Sequence, residues 1–184
     1  MSTSPVHPVS NLHMVVMFAR TSADPAREDE IHQAVEDYGA ELYGLTLAIT
    51  ANRVDADDAY QSAWVDAMRH WDQLRVTSKR RAWLSAIVAR SARRSGRQRT
   101  LWLRRHAPFG EELGLAAVME WDPTVATAVS QLSRRQRTVV ALHYGQGYSL
   151  DEIAEILSCG KGTVRTHLSR ALGSLRRSLR DDTV

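Results

Sequence analysis

The chain has 184 residues, of which 43% are hydrophobic, and it carries a formal net charge of +3 with a pI of about 9.3. This length suits one domain or two small ones, and the single cysteine, Cys159, excludes an internal disulfide framework and a cysteine-based zinc site. The apolar runs are short and interrupted, so we expect no membrane insertion and a cytoplasmic location.

The charge is distributed unevenly along the chain. Residues 24–58 contain ten acidic residues and two arginines, whereas residues 76–110 contain ten Lys or Arg and no acidic residue. This asymmetry predicts one surface for an anion and another for a basic or neutral partner. Nucleic acid is favoured over a membrane as the anion, because the basic helix lacks a broad apolar face for lipid.

The first part of the chain predicts an arm followed by helices. Residues 1–25 contain three of the five prolines and are interpreted as a disordered arm. Residues 28–50 have helix-forming sequence, although Gly39 and Gly44 weaken the expectation of one continuous helix. In residues 56–71 the apolar side chains recur at spacings of three and four, which is typical of an amphipathic helix.

A basic helix is predicted after a loop at residues 72–78, with Ser78 as its N-cap. A helical wheel places its cationic side chains on the face opposite its apolar ones; these are Lys79, Arg90, Arg93 and Arg97. Residues 101–124 contain Pro and Gly and predict a flexible linker. We therefore expect an all-α fold of two small helical domains, at residues 26–100 and 125–180, joined by that linker.

A helix-turn-helix is predicted within the second domain, which we expect to have four helices. Ser149 and Glu152 form a capping box that begins one short helix, and a three-residue turn at residues 158–160 precedes the next. Val164, Leu168 and Ala171 form the apolar stripe of that second helix. The polar and basic side chains elsewhere on it suit a DNA groove; they are Lys161, Thr163, Arg165, Thr166, His167, Ser169 and Arg170. The alternative is a helical hairpin with a solvated arginine face.

This half resembles the promoter-binding domain of extracytoplasmic-function sigma factors of bacterial RNA polymerase, members of the sigma-70 family. The resemblance rests on three segments, at residues 132–142, 147–154 and 162–166. Ser133 replaces the usual Pro, and Ser158 and Gly160 replace the more usual Gly and Ser around the turn. The resemblance implies that this domain binds the minus-thirty-five promoter element.

The first domain carries a second resemblance to the same family. Residues 56–64 look like the segment that docks onto the largest catalytic subunit of core polymerase. The resemblance implies polymerase binding through Asp57, Asp58, Gln61 and Trp64. Asp58 and Gln61 are three residues apart and therefore neighbours on one helix face, where they offer acceptors to basic side chains. A solvated acidic face is the alternative, and Ser62 stands where Glu is usual.

Residues 82–87 and the arginines after them resemble the segment that opens the minus-ten element. The resemblance implies that residues 73–78 capture a flipped base and that basic side chains hold the DNA backbone: Lys79, Arg80, Arg90, Arg93 and Arg97. Trp83 is interpreted either as a stacking platform for a base or as a core residue. Arg90 and Arg94 stand where Asn and Asp are common in the family.

These patterns predict a sigma factor that directs core RNA polymerase to promoter DNA and helps to open it. Two alternatives remain: a helix-turn-helix regulator whose first half serves dimerisation or sensing, and a module bound to an inhibitor. The family also implies an anti-sigma factor as a further partner. We expect no catalytic activity, cofactor or metal, because the seven histidines are scattered without paired ligands and no glycine-rich phosphate loop is present.

Overall fold

The computed structural model describes residues 25–74, 76–95 and 121–181, and these residues are almost entirely helical. The first half contains α1 (Pro25–Thr50), α2 (Arg53–Arg69) and α3 (Arg80–Arg94), with short 3₁₀ turns at Trp71–Gln73 and Thr77–Lys79 before α3. The second half contains α4 (Pro123–Ser130), α5 (Arg134–Val140), α6 (Leu150–Ile156) and α7 (Lys161–Asp181), with a π-helical turn at Ala141–Gly145. The all-α prediction is confirmed. Most of the predicted arm and linker lies outside the described residues.

The first half is a three-helix unit built on α1. This helix is continuous through Gly39 and Gly44, although the two glycines weakened that expectation, and both glycines are buried. At Gly39 the hydroxyl of Tyr60 of α2 donates to the backbone carbonyl at 3.1 Å, which ties α2 to α1. Ser91 of α3 in turn donates to the Ala59 carbonyl at 2.8 Å, which ties α3 to α2.

The start of α3 differs from the prediction. The sequence places an N-cap at Ser78, but Ser78 lies inside the 3₁₀ turn Thr77–Lys79 and the helix begins at Arg80. Lys79 occupies the cap position and supplies no capping side chain. The physical reason is that the preceding 3₁₀ turn already bonds its own backbone, with the Lys79 amide donating to the Val76 carbonyl at 3.0 Å.

The second half packs its last helix across the other three. Val164 and Ala171 of α7 are fully buried and Leu168 is nearly so, as the predicted apolar stripe requires. These side chains meet Ile153 of α6 and the buried residues of α5 in one hydrophobic core. Burial of this stripe holds α7 so that its opposite face points outward, which positions the predicted DNA-reading side chains.

The two halves are packed against each other through α1 and α3 on one side and α5, the π-helical turn and α6 on the other. Their buried apolar residues form one continuous cluster. Arg137 of α5 reaches across to α1, where its Nε donates to the Ile49 carbonyl at 3.0 Å. The two helical domains therefore contact each other directly in this structure.

Candidate DNA and polymerase interfaces

The helix-turn-helix begins at the predicted capping box. Ser149 accepts a hydrogen bond from the Glu152 amide at 3.3 Å, and the Glu152 carboxylate accepts one from the Ser149 amide at 2.8 Å. These hydrogen bonds to Ser149 lower the pKa of the Glu152 carboxyl. The box satisfies two backbone donors that the first turn of α6 would otherwise leave open, so α6 starts at a fixed point.

The turn between α6 and α7 is a Schellman motif. The Cys159 amide donates to the Ala154 carbonyl at 2.9 Å, and the Ser158 amide donates to the Glu155 carbonyl at 3.0 Å. Ser158 adopts the left-handed conformation that this motif needs, with φ of 50°. The conformation explains why glycine is the more usual residue there. Cys159 is partly buried and packs on the hydrophobic core, as its place in the turn predicts.

The outer face of α7 carries the predicted DNA-reading residues. Six of them are exposed, and His167 is half-buried; the exposed ones are Lys161, Thr163, Arg165, Thr166, Ser169 and Arg170. Lys161 pairs with Asp151 of α6 at 2.7 Å, and both side chains are largely in solvent. A pair of this kind contributes little stability, so Lys161 can exchange Asp151 for a phosphate.

The electrostatics of α7 favour an anion. Residues 161–180 contain six Lys or Arg and no acidic residue. Desolvation lowers the pKa of His167, and the nearby Arg135, Arg170 and Arg93 lower it further, which favours the neutral imidazole at pH 7. The helix can therefore contribute cationic contacts to phosphate and both neutral and cationic contacts to base edges.

The predicted polymerase-binding residues lie on α2 but do not all reach the surface. Asp58 is exposed, and Asp57 and Gln61 are half-buried. Asp57 accepts a hydrogen bond from the Tyr43 hydroxyl at 2.8 Å. Trp64 is 1% exposed and packs edge-on against Tyr60, so it supports the helix from the core and does not form part of its surface.

The predicted minus-ten residues are spread over one side of α3. Lys79, Arg90 and Arg93 are exposed, while Arg97 lies outside the described residues. Arg80 is instead held by Glu30 of α1 at 2.9 Å, and its guanidinium carbon lies 5.2 Å from the ring centroid of Trp71. Trp83 is half-buried and packs edge-on against Trp71 at 5.9 Å between ring centroids. One part of its indole therefore belongs to the core and another faces solvent.

Three features of the structure were not predicted from the sequence. Ser133 and Gln136 form a second capping box, at the start of α5. Its Ser-x-x-Gln pattern is a recognisable signal in the sequence. The other two features are the ion pair between Arg81 and Glu41 and the hydrogen bond from Arg137 to Ile49. Each joins residues that are 40 or more positions apart. No periodicity in the sequence indicates such distant partners.

The described residues define a helical protein with a helix-turn-helix in one half and a separate acidic helix beside a basic one in the other. Comparison with known families gives two matches: sigma-70 region 2 matches residues 34–101, and sigma-70, region 4, matches residues 124–175. The region 2 match does not favour the alternative of a dimerisation or sensing domain in the first half.

Several curated proteins are similar to this chain. The sigma factor SigL of Mycobacterium tuberculosis is 28% identical over 176 residues, which cover 89% of this chain and 97% of SigL. SigM of the same organism is 30% identical over 143 residues, covering 76% of this chain and 71% of SigM. SigW of Bacillus subtilis is 26% identical and covers 84% of this chain and 91% of SigW. All three are named extracytoplasmic-function RNA polymerase sigma factors.

Two solved structures have the same fold. RpoE of Bartonella quintana, bound to the anti-sigma factor NepR, aligns with a TM-score of 0.65 at 22% identity over 82% of this chain and 97% of RpoE. CnrH, bound to the cytosolic domain of CnrY, aligns with a TM-score of 0.60 at 24% identity over 94% of this chain and 99% of CnrH. The chain belongs to the extracytoplasmic-function sigma factors of the sigma-70 family.

The described residues contain no helix long and apolar enough to cross a membrane. Within the same residues, no cluster of three or more His, Cys, Asp or Glu side chains could hold a metal ion.

Proposed function

We propose that this sigma factor directs core RNA polymerase to promoters by contacting two DNA elements with its two halves. The observation that supports the proposal most strongly is the presence of exposed cationic side chains on both α3 and α7, each on a half that matches a sigma-70 region. Linking two modest contacts raises the effective concentration of the second to roughly millimolar, so the distance between the elements contributes to specificity.

In this proposal α7 enters the major groove of the minus-thirty-five element. Arg165 has a planar guanidinium suited to guanine edges or phosphate, and Thr166 and Ser169 are small enough to let the helix approach the bases. The Thr166 hydroxyl already donates to the Gly162 carbonyl at 2.9 Å, so its oxygen remains an acceptor for a base. Affinity should fall steeply with salt, because several cations replace phosphate counterions.

The first half is proposed to hold the minus-ten element. Lys79, Arg90 and Arg93 supply exposed charges for the backbone, and the solvent-facing part of Trp83 offers a stacking surface. Arg80 can join them only after leaving Glu30. This pairing ties the start of α3 to α1 in the unbound chain.

Core polymerase is proposed to bind the exposed side of α2. Asp58 and Gln61 supply hydrogen-bond acceptors on adjacent turns of the helix. The carboxylate of Asp57 already accepts a hydrogen bond from the Tyr43 hydroxyl. Trp64 contributes by fixing the position of this helix from the core. The chain is proposed to act as a binding subunit in the cytoplasm, where core polymerase works, with the polymerase supplying the catalysis.

An anti-sigma factor is proposed as a further partner. The support is that the aligned RpoE is in complex with the anti-sigma factor NepR, and that the aligned CnrH is likewise bound by a second protein, the cytosolic domain of CnrY.

The proposal is tested by incubating the chain with core polymerase and a library of promoter sequences, and by sequencing the transcripts. We expect start sites that appear only when the chain is added. Asp58→Ala with Gln61→Ala should lower affinity for core polymerase, with Asp66→Ala on the same helix as the matched control. Absence of chain-dependent start sites would overturn the proposed function.

A further inference from the structure

A small cleft beside the helix-turn-helix combines a cationic mouth with an apolar wall. Its volume is about 110 Å³, and the residues that carry the argument are Arg93 of α3, Arg135 and Val139 of α5, Leu157 at the end of α6, and Thr163 and His167 of α7. We propose that this cleft binds a small organic phosphate, with the phosphate group on the two arginines and the apolar part of the ligand against the wall.

The volume of the cleft limits the size of its ligand. A cavity needs about 10–15 Å³ to hold one water molecule, and a cavity of about 150 Å³ holds benzene. At about 110 Å³ the cleft therefore has room for a phosphate group and the nearest part of an apolar body. It is too small for a DNA duplex, whose major groove alone is about 12 Å wide.

The positive charge at the mouth of the cleft is not neutralised. Arg93 and Arg135 are both exposed, and within the described residues neither guanidinium has an ion-pair or hydrogen-bond partner. By contrast, Arg80 on the same helix as Arg93 is paired with Glu30. None of the described residues that line the cleft is acidic. An anion between the two guanidiniums is therefore attracted by both and faces no competing carboxylate there.

The imidazole of His167 senses the same positive potential inside the cleft. Desolvation lowers its pKa most, and Arg135, Arg170 and Arg93 lower it further. These three arginines belong to three different helices, so cations face the ring from several sides. An anion bound among them would offset their charge, and the pKa of His167 would rise.

The number of charges favours a phosphate over a carboxylate. A phosphate monoester carries about −1.5 to −2 charges at pH 7, which two guanidiniums match, whereas a carboxylate carries a single charge. The planar guanidinium of arginine also donates paired hydrogen bonds to phosphate oxygens. Thr163 adds a hydroxyl donor in the first turn of α7, where the helix dipole is positive.

The inner wall of the cleft favours a ligand with an apolar part. Val139 is a buried residue of the hydrophobic core, and Leu157 is half-buried and packs against that core. Inorganic phosphate would leave this wall in contact with water, whereas an organic phosphate covers it. Because removal of apolar surface from water is favourable, the organic phosphate should bind more tightly than the inorganic ion.

Occupation of the cleft has a consequence for promoter binding. Thr163 and His167 are proposed DNA-reading residues, and Arg93 is a proposed contact of the minus-ten backbone. A phosphate held in the cleft engages these side chains and places negative charge beside α7. The ligand should therefore lower the affinity of the chain for DNA. This consequence rests on the proposed function, whereas binding to the cleft does not.

The test uses the full chain and phenyl phosphate, an aromatic ring that carries a phosphate monoester. NMR of the histidine rings should show saturable binding with a Kd on the order of millimolar. The pKa of His167, whose signal is assigned with His167→Gln, should rise on binding. Inorganic phosphate and benzoate should each bind several-fold more weakly, because the first lacks the apolar ring and the second lacks the second negative charge.

Arginine variants make the result specific. Arg135→Ala and Arg93→Ala should each weaken phenyl phosphate binding about tenfold, because each removes charge-assisted hydrogen bonds. Arg177→Ala, which removes an exposed arginine near the other end of α7, is the matched control and should leave this binding unchanged. Arg135→Ala should reduce affinity for a minus-thirty-five duplex far less than Arg165→Ala does.

A competition experiment measures the consequence for DNA. Saturating phenyl phosphate should lower the affinity of the chain for the minus-thirty-five duplex, compared with sodium chloride at the same ionic strength. Unchanged duplex affinity would refute this consequence.

Absence of saturable phenyl phosphate binding would overturn the proposal, as would equal binding of benzoate or inorganic phosphate, or an equal loss with Arg177→Ala. A loss of duplex affinity in Arg135→Ala as large as in Arg165→Ala would also overturn it, because the cleft would then be part of the DNA surface. Failure of the proposed function is distinguishable, since it would remove chain-dependent transcripts and leave phenyl phosphate binding intact.

Discussion

The left-handed conformation of Ser158 leads to a quantitative stability prediction. A non-glycine residue in this conformation costs about 1–2 kcal/mol, and the φ of 50° at Ser158 is within that region. Glycine removes this strain but loses roughly 0.5–1 kcal/mol more conformational entropy on folding. Ser158→Gly should therefore stabilise the chain by about 0.5–1 kcal/mol, without disturbing the two backbone bonds of the turn.

Thermal unfolding of the full chain provides the assay. If the packed halves unfold as one unit, Ser158→Gly should raise Tm by about 1–4 °C, whereas independent unfolding of the second half should give about 2–8 °C for its transition. The matched control is Ser174→Gly, the same chemical change inside α7, which should lower Tm because glycine weakens a helix interior. A Ser158→Gly variant with an unchanged or lower Tm would refute the strain argument.

Three further predictions concern the helix-turn-helix and the end of α1. Arg165→Ala should weaken binding to the minus-thirty-five element by about 1–3 kcal/mol and leave the affinity for core polymerase unchanged. Fluorescence anisotropy with each partner measures both affinities. An equal loss of affinity for DNA and for polymerase would contradict the proposed DNA contact of Arg165. Glu152→Gln should lower Tm at neutral pH. The pKa of Glu152 is lowered in the folded state, so its ionised carboxylate stabilises the fold above the unfolded pKa, and this stabilisation disappears as pH falls through the folded pKa. The Tm values of the Glu152→Gln variant and the unchanged chain should therefore converge in acid. A difference in Tm that stays constant with pH would count against the capping box. Ala51 also has a left-handed φ, of 54°, so Ala51→Gly should raise Tm, and a lower Tm would show that its strain is compensated elsewhere.

Local patterns of the sequence predicted the parts of the fold that depend on near neighbours. The capping box at Ser149, the turn before Lys161 and the apolar stripe through Val164 all depend on spacings of a few residues, and all are present as predicted. Such features are determined by helix geometry, which is the same wherever the helix lies in the protein.

Contacts between residues far apart in the chain could not be predicted from local sequence patterns. Trp64 fitted the family segment for polymerase contact, but the packing of α1 and α2 encloses it. Arg80 fitted a DNA contact, but Glu30, 50 positions away, pairs with it. Arg137 matched a position of the family motif, but the motif does not indicate its hydrogen-bond acceptors at the end of α1, which lie 87 and 88 residues away. Each outcome depends on tertiary packing, which spacing along the chain does not encode.

The contact with two DNA elements is tested most directly by changing the distance between them. Inserting about 5 base pairs between the minus-thirty-five and minus-ten elements of a responsive promoter turns one element by nearly half a helical turn, since B-DNA repeats every 10–10.5 base pairs. Transcription by core polymerase with this chain should then be lost. Transcription that is indifferent to the insertion would contradict the account, because it would mean that only one half of the chain contacts the promoter.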